Sequence, residues 1–250
     1  MAEWAVKLAV SGPISVKTTI SMSVEKGFNN PFLTTVKVRP AKHGVKVELI
    51  ARADNQSEAN DAAVFFVGQM IDHLSFQLNL PLSVSLHGEH FQNGLSSNVH
   101  RIVTRDEFIE AFVTSRNYGE NRRVLMRALG WYRKGISSED PIDKFIAFWG
   151  ALEGFGSESH RRNENTARGS INQICDCFYQ VWGDVSQWKV IPNEANKINA
   201  FGQIRNGIAH GFMAVTIETI REINRELPII QELSYQFLHD WQLNGQRDME

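Results

Sequence analysis

Thr104-Arg105-Asp106-Glu107-Phe108-Ile109-Glu110 is the stretch where the chain changes character. Thr104 and Glu107 stand at capping-box spacing: the hydroxyl accepts from the third backbone N–H, and the carboxylate reaches back to the first. From here apolar residues recur at helical spacing, predicting helices over 105–116, 119–134, 141–155, 168–183, 194–210 and 216–242. The third has the best-formed start, Asp140 as cap and Pro141 in the first turn, and its apolar face is Phe145, Phe148, Trp149, Leu152 and Phe155. Pro228 predicts a kink or split in the last helix.

Before this point the period is two. Ile14, Val16, Ile20, Met22 and Val24 keep to even positions, which reads as one half-buried strand. Val36 and Val38 end another strand and Val45, Val47 and Leu49 begin a third. Pro40 to Gly44 turns between them, predicting a hairpin. Ser57 can cap a helix from Glu58 to about Leu78, ended by Pro81. Its many apolar residues (Val64, Phe65, Val67, Met70, Ile71, Leu74 and Leu78) predict that it lies across the sheet. Strands over Leu82–Leu86 and about Val99–Val103 complete an α+β unit. The expected fold class is α+β: an N-terminal antiparallel-sheet domain with one long helix, residues 1–104, then an all-α bundle, residues 105–250.

Composition narrows the class. The chain has 250 residues, 42% hydrophobic and 22% charged, which excludes disordered, collagen-like and coiled-coil proteins. A net charge of -2 argues against a surface coated all over in nucleic acid, but allows local basic patches. Fifteen Phe and six Trp point to a core rich in rings. The start lacks the basic-then-apolar pattern of a signal peptide, and the longest apolar run, Ala62 to Val67, is far short of the roughly 20 residues of a membrane helix. A soluble, cytoplasmic protein without a membrane partner is expected. Cys175 and Cys177, two apart on a helix, point in different directions and suggest no disulfide framework.

The sharpest chemical candidate is Arg205-Asn206-Gly207-Ile208-Ala209-His210. At about 100° per residue Asn206 and His210 share a face, while Arg205 lies about 140° away but has a side chain long enough to reach round. Ile198, Phe201 and Ile208 would anchor the buried side. Gly202 and Gly207 each cost roughly 1 kcal/mol inside a helix, which makes sense if something packs or binds closely there. Gly211 supplies the stop. A guanidinium fork suits phosphate oxygens, an imidazole passes protons near neutral pH, and an amide can orient either. Together they suit cleavage of RNA by its own 2′-hydroxyl without a metal. One Arg–His pair is thin for a reaction needing both acid and base, so the idea implies two copies across a two-fold axis, a homodimer. The plainer reading is a surface arginine and a histidine placed where a helix end favours a cation.

Leu129 to Gly135, Asp140 to Phe145, Trp149 to Glu153 and then Arg205 to His210, in that order and spacing, resemble the HEPN superfamily, and within it the ApeA-like and MauJ-like branch, over roughly residues 125–215. The resemblance implies an all-helical, usually dimeric domain, in many members a metal-independent endoribonuclease and in others a module that binds RNA or nucleotides without cleaving. It places Arg205 and His210 on the catalytic Arg and His, and Asn206 on the polar position after the Arg. Glu153 falls where an acidic residue often steadies the motif Arg; a plain surface carboxylate is the other reading. A role in phage defence or a toxin-like system is implied by the resemblance alone; the first domain is expected to sense, recruit or regulate, with a partner not named by the sequence.

Cations are placed where RNA contact would use them. Arg116, Arg122, Arg123, Arg127, Arg133 and Lys134 share a stretch with one acid, Glu120, and the polar stretch from Gly156 to Gly169, which reads as a mobile loop, carries Arg161, Arg162 and Arg168. Solvated helix faces are the alternative for both. His87, Glu89 and His90 do not follow the zinc signature H-E-x-x-H, so structural or exposed histidines are favoured over a metal-dependent hydrolase. No cofactor and no metal is expected.

Overall fold

The computed structural model of the chain describes residues 2–23, 32–86, 101–214 and 216–247. It is α+β and divides into two compact units, Met1–Asn121 and Arg122–Glu250.

The first unit is a five-stranded sheet crossed by a long helix. Its strands are β1 (Ala2–Ser11), β3 (Ile20–Ser23), β4 (Phe32–Ala41), β5 (Gly44–Ala53) and β6 (Ser83–Ser85), in the order β3-β4-β5-β1-β6 and antiparallel throughout. β2 (Ile14–Ser15) pairs in parallel with β7 (Arg101–Ile102) as a separate ribbon. The even-position alternation predicts one strand from Ile14 onward; the chain instead breaks at the exposed Lys17-Thr18-Thr19 and pairs its two halves with different partners. Burial still follows the pattern, with Ile14, Val16, Ile20 and Met22 all inside. The same alternation runs through Val6, Leu8 and Val10 of β1, a strand that the sequence reading passes over.

The hairpin turn is tighter than Pro40 to Gly44. Pro40 pairs with Val45 inside β4, and only Lys42 and His43 stand between the strands. Pro40 lies past Val38, the last residue that β3 pairs, so its missing N–H interrupts no ladder bond on that side. Gly44 has φ +142, and a Cβ there would sit 2.1 Å from the Val10 carbonyl oxygen, so this close approach of β5 to β1 requires glycine.

Helix α1 (Gln56–Leu78) is capped by Asn55, not Ser57: the Asn55 side chain accepts from the Glu58 N–H at 2.9 Å, and Glu58 accepts from the Asp54 N–H. It ends at Asn79 in the left-handed region, before Pro81 is reached. Ala59, Ala63, Val67, Met70, Ile71 and Leu74 pack on the sheet, whereas Val64 and Phe65 face out. Helix α2 (Arg105–Asn121) opens with the predicted box, the Glu107 N–H donating to Thr104 Oγ1 and the Thr104 N–H to Glu107. It belongs to the first unit, where Tyr118 meets His73 of α1 edge to face at 5.9 Å.

The second unit comprises α3 (Arg123–Ser137), α4 (Pro141–Ser159), α5 (Ser170–Trp182), α6 (Asn196–Ala209) and α7 (Ile217–Arg247). Asp140 accepts from the N–H groups of Ile142 and Asp143, and Pro141 occupies the first turn. The predicted apolar face of α4 is the hub. Phe148 meets Tyr132 of α3 at 5.5 Å, Phe145 meets Phe201 of α6 at 5.8 Å, and Phe155 meets Phe237 and Trp241 of α7 at 5.5 and 4.8 Å. Pro228 does not split α7, which runs on as one helix with Ile230, Leu233, Phe237 and Leu238 in the core beyond it. Their burial offsets the roughly 3 kcal/mol that an interior proline costs.

Candidate functional site

Helix α6 carries the candidate site at its C-terminal end. Ile198, Phe201 and Gly202 are buried, while Ile208 is only half-buried and anchors less than expected. The two glycines are explained by packing. A Cβ at Gly202 would stand 3.0 Å from Ile171 and 3.4 Å from Trp149, and one at Gly207 would stand 3.2 Å from Met213, whose N–H donates back to the Gly207 carbonyl. Their cost thus serves close helix contact and the return of the chain, and points to no ligand. Gly211, at φ +68, turns the chain out of the helix.

Arg205 is fixed from two sides. Its Nη2 donates to Glu153 Oε2 of α4 at 3.1 Å, and its Nη1 donates to Asn206 Oδ1 at 3.0 Å. Both members of the ion pair are partly open to solvent, at 32% and 26% of their side-chain surface. A guanidinium has five N–H donors, so two bonds leave three for a ligand. His210 caps the helix: its backbone N–H donates to the Asn206 carbonyl, and its exposed ring stands 5.8 Å from that of Phe212. The structure therefore joins Arg205, Asn206 and Glu153 through hydrogen bonds. His210 stands outside that set, in solvent at the same helix end. Among the described residues its imidazole makes no hydrogen bond to the other three.

The predicted RNA-contacting cations fare unevenly. Arg127 is held by Glu158 of α4. Arg161 is held by Asp176 of α5, through its backbone N–H at 2.7 Å and its guanidinium at 3.2 Å. Arg123, Arg162 and Arg168 are exposed, and Arg122 is half-buried at the start of α3. The stretch from Arg116 to Lys134 straddles the two units, since Arg116 lies in α2. The polar segment read as a mobile loop is a built turn. Gly156 to Ser159 still belong to α4, Asn163 accepts from the N–H groups of Asn165 and Thr166, and the buried Thr166 donates to the Arg161 carbonyl before a 3₁₀ turn over Thr166–Arg168.

Sequence reasoning missed two exposed apolar residues that follow the site in the chain. Phe212 is 85% exposed beside His210, and Ile217, at the start of α7, is 65% exposed. Their only sequence signal is an apolar residue set just past a helix stop. It also missed Asp240, a largely buried carboxylate that accepts from the Trp182 indole and the Lys189 ammonium, both at 2.7 Å. Burial works to raise its pKa, but the hydrogen bonds from Lys189 and Trp182 outweigh this and hold the carboxyl below its ordinary range. This cluster ties the end of α5 to α7.

Among the described residues no three His, Cys, Asp or Glu converge as metal ligands, and no helix is long and apolar enough to cross a membrane. His87, Glu89 and His90 lie outside the described residues.

Residues 128–239 match the family described as methylamine utilization protein MauJ. The MauJ-like segment runs from within α3 to within α7 and holds Glu153, Arg161, Arg162, Arg168, Arg205, Asn206 and His210, but none of Arg122, Arg123 and Arg127. It accords with the MauJ-like part of the sequence resemblance. No curated protein and no solved structure matches the chain.

Proposed function

We propose that the chain is a metal-independent endoribonuclease acting as a homodimer, with Arg205 and His210 as its catalytic groups. One observation carries the reading: a guanidinium anchored by Glu153 and Asn206, with donors to spare, on the same exposed helix end as an accessible imidazole. In the reaction the RNA 2′-hydroxyl loses its proton to a base and its oxygen attacks the adjacent phosphorus. The bond from phosphorus to the 5′-oxygen breaks, leaving a 2′,3′-cyclic phosphate and a 5′-hydroxyl. Arg205 offsets charge on the phosphorane, His210 protonates the departing oxygen, and His210 of a second copy serves as the base. The exposed Phe212 and Ile217 supply apolar surface for that second copy.

A non-catalytic RNA- or protein-binding module of the same fold is the rival, and one observation favours it: Glu153 already balances the charge of Arg205. Incubating the purified chain with mixed RNA in excess EDTA separates the two. The proposal expects cleavage that falls by at least about 100-fold in both Arg205→Ala and His210→Ala proteins that retain wild-type circular dichroism. No cleavage by the wild-type chain, or cleavage undiminished in both variants, supports the rival.

A further inference from the structure

The sheet of the first unit has one face packed under α1 and another turned to solvent, and the register determines what the open face carries. Glu48 of β5 lies between Lys7 of β1 and Lys37 of β4; one row along, Lys46 lies between Ala9 and Arg39; at the other end, Arg52 lies opposite Glu3. Lys7, Lys37 and Lys46 are exposed. Five cations thus share the face with two carboxylates, and each carboxylate is paired with an arginine: Glu48 with Arg39 at 3.2 Å and Glu3 with Arg52 at 3.1 Å. The three lysines form no ion pair among the described residues. In a chain of net charge -2 this is a local positive excess.

Strands about 4.8 Å apart, rising about 3.4 Å per residue, put the three lysine Cα positions on a triangle of roughly 8–10 Å a side. That is a rigid platform for three strongly hydrated point charges on flexible stems. Around them stand the hydroxyls of Ser21 and Thr35, which can donate to phosphate oxygens. A protein partner would need a buried apolar or aromatic anchor and a membrane would need apolar insertion, but the two rows that hold the lysines, Lys7–Glu48–Lys37 and Ala9–Lys46–Arg39, contain no large apolar residue. We propose that this face docks single-stranded RNA through its phosphate backbone, without regard to base sequence. The proposal does not depend on cleavage by the helical unit.

The test is fluorescence anisotropy of the full chain with a labelled 2′-O-methyl oligouridylate, which this chemistry cannot cleave. Three phosphate contacts on a single strand give a slope of about -2 for log affinity against log salt, an approximately twentyfold weakening between 50 and 200 mM KCl. The Lys7→Gln/Lys37→Gln/Lys46→Gln protein should bind at least about tenfold more weakly at 50 mM and flatten the slope by about 2, while each single variant flattens it by about 0.7. Arg205→Ala should leave the lysine-dependent part of the slope intact. Absence of binding by the wild-type chain overturns the proposal, as does an unchanged slope in the triple and single variants. Lysine-dependent sedimentation with phosphatidylserine vesicles, without oligonucleotide binding, would overturn it in favour of a membrane. Lysine-dependent binding without any cleavage of ordinary RNA supports it and removes only the ribonuclease reading.

Discussion

Replacing Glu153 with glutamine keeps the size of the side chain and one of its oxygens, and removes the charge that Arg205 faces. The pair is a single contact of 3.1 Å between groups that are 32% and 26% exposed. Fully exposed ion pairs contribute roughly 0.2–1 kcal/mol, and hydrogen bonds to charged groups in drier settings about 1.5–3 kcal/mol. Intermediate burial and one contact place the Glu153–Arg205 coupling at about 1 kcal/mol. Urea unfolding of the wild type, Glu153→Gln, Arg205→Ala and the double variant measures it as a cycle. In cleavage, Arg205→Ala should cost about 100- to 1,000-fold and Glu153→Gln about tenfold, since the guanidinium keeps its bond to Asn206 but is held less firmly. The double variant should be no slower than Arg205→Ala alone. If Glu153→Gln slows cleavage equally in both backgrounds, Glu153 acts on substrate directly and the positioning argument fails. If the stability effects simply add, the contact has no energetic content.

Two further predictions concern groups away from the site. Burial pushes the imidazole of His73 down from 6.5 to about 4, against an upward pull from Glu110, so the fold holds it neutral while an unfolded chain protonates it near 6.5. The stability of the first unit should therefore be whole above pH 6.5 and fall as pH drops towards 4, by about 3 kcal/mol in total. Urea titrations should show this slope reduced in His73→Gln, and an unchanged slope would refute the assignment. Burial raises the thiols of Cys175 and Cys177 to about 11 and about 12, so both should resist iodoacetamide at pH 8 in the native chain and react in urea, as read by mass spectrometry.

What the sequence revealed follows from how local each determinant is. The Thr104–Glu107 box and the Asp140-Pro141 start are satisfied within four residues, and both form as read. The α4 face is a helical stripe, and every ring in it found a partner helix or the core. Apart from the cap of α1, the failures involve partners distant in sequence. Alternation told which side of Ile14 to Met22 is buried, but not that its halves pair with different strands. Asn55 took the cap from Ser57 because Asn55 is placed to reach the Glu58 N–H. Gly202 and Gly207 signalled close approach correctly. Nothing local could tell that Ile171, Trp149 and Met213 fill the space instead of a ligand. At the site the same divide holds. The motif spacing put Arg205, Asn206 and His210 on one helix end, while the bond to Glu153 crosses to another helix and came only from the resemblance.

The charge arithmetic of the two units gives the two proposals separate roles. Around Arg205 the guanidinium and the Glu153 carboxylate nearly cancel, so the site has little net charge with which to draw in a phosphodiester. What it offers is direction: three remaining N–H donors in a fixed plane, on the same helix end as an exposed imidazole. A site of that kind discriminates between ground and transition states better than it gathers substrate. If both proposals hold, gathering falls to uncompensated charge, which the open face of the sheet carries in Lys7, Lys37 and Lys46. On this division the lysine variants should raise KM for RNA with kcat little changed, and Arg205→Ala should lower kcat with KM little changed. Raising the salt should imitate the first set and leave the second effect in place. If Arg205→Ala instead acts chiefly on KM and loses its effect in high salt, Arg205 is one more phosphate tether and the assignment of catalysis to the helix end is wrong.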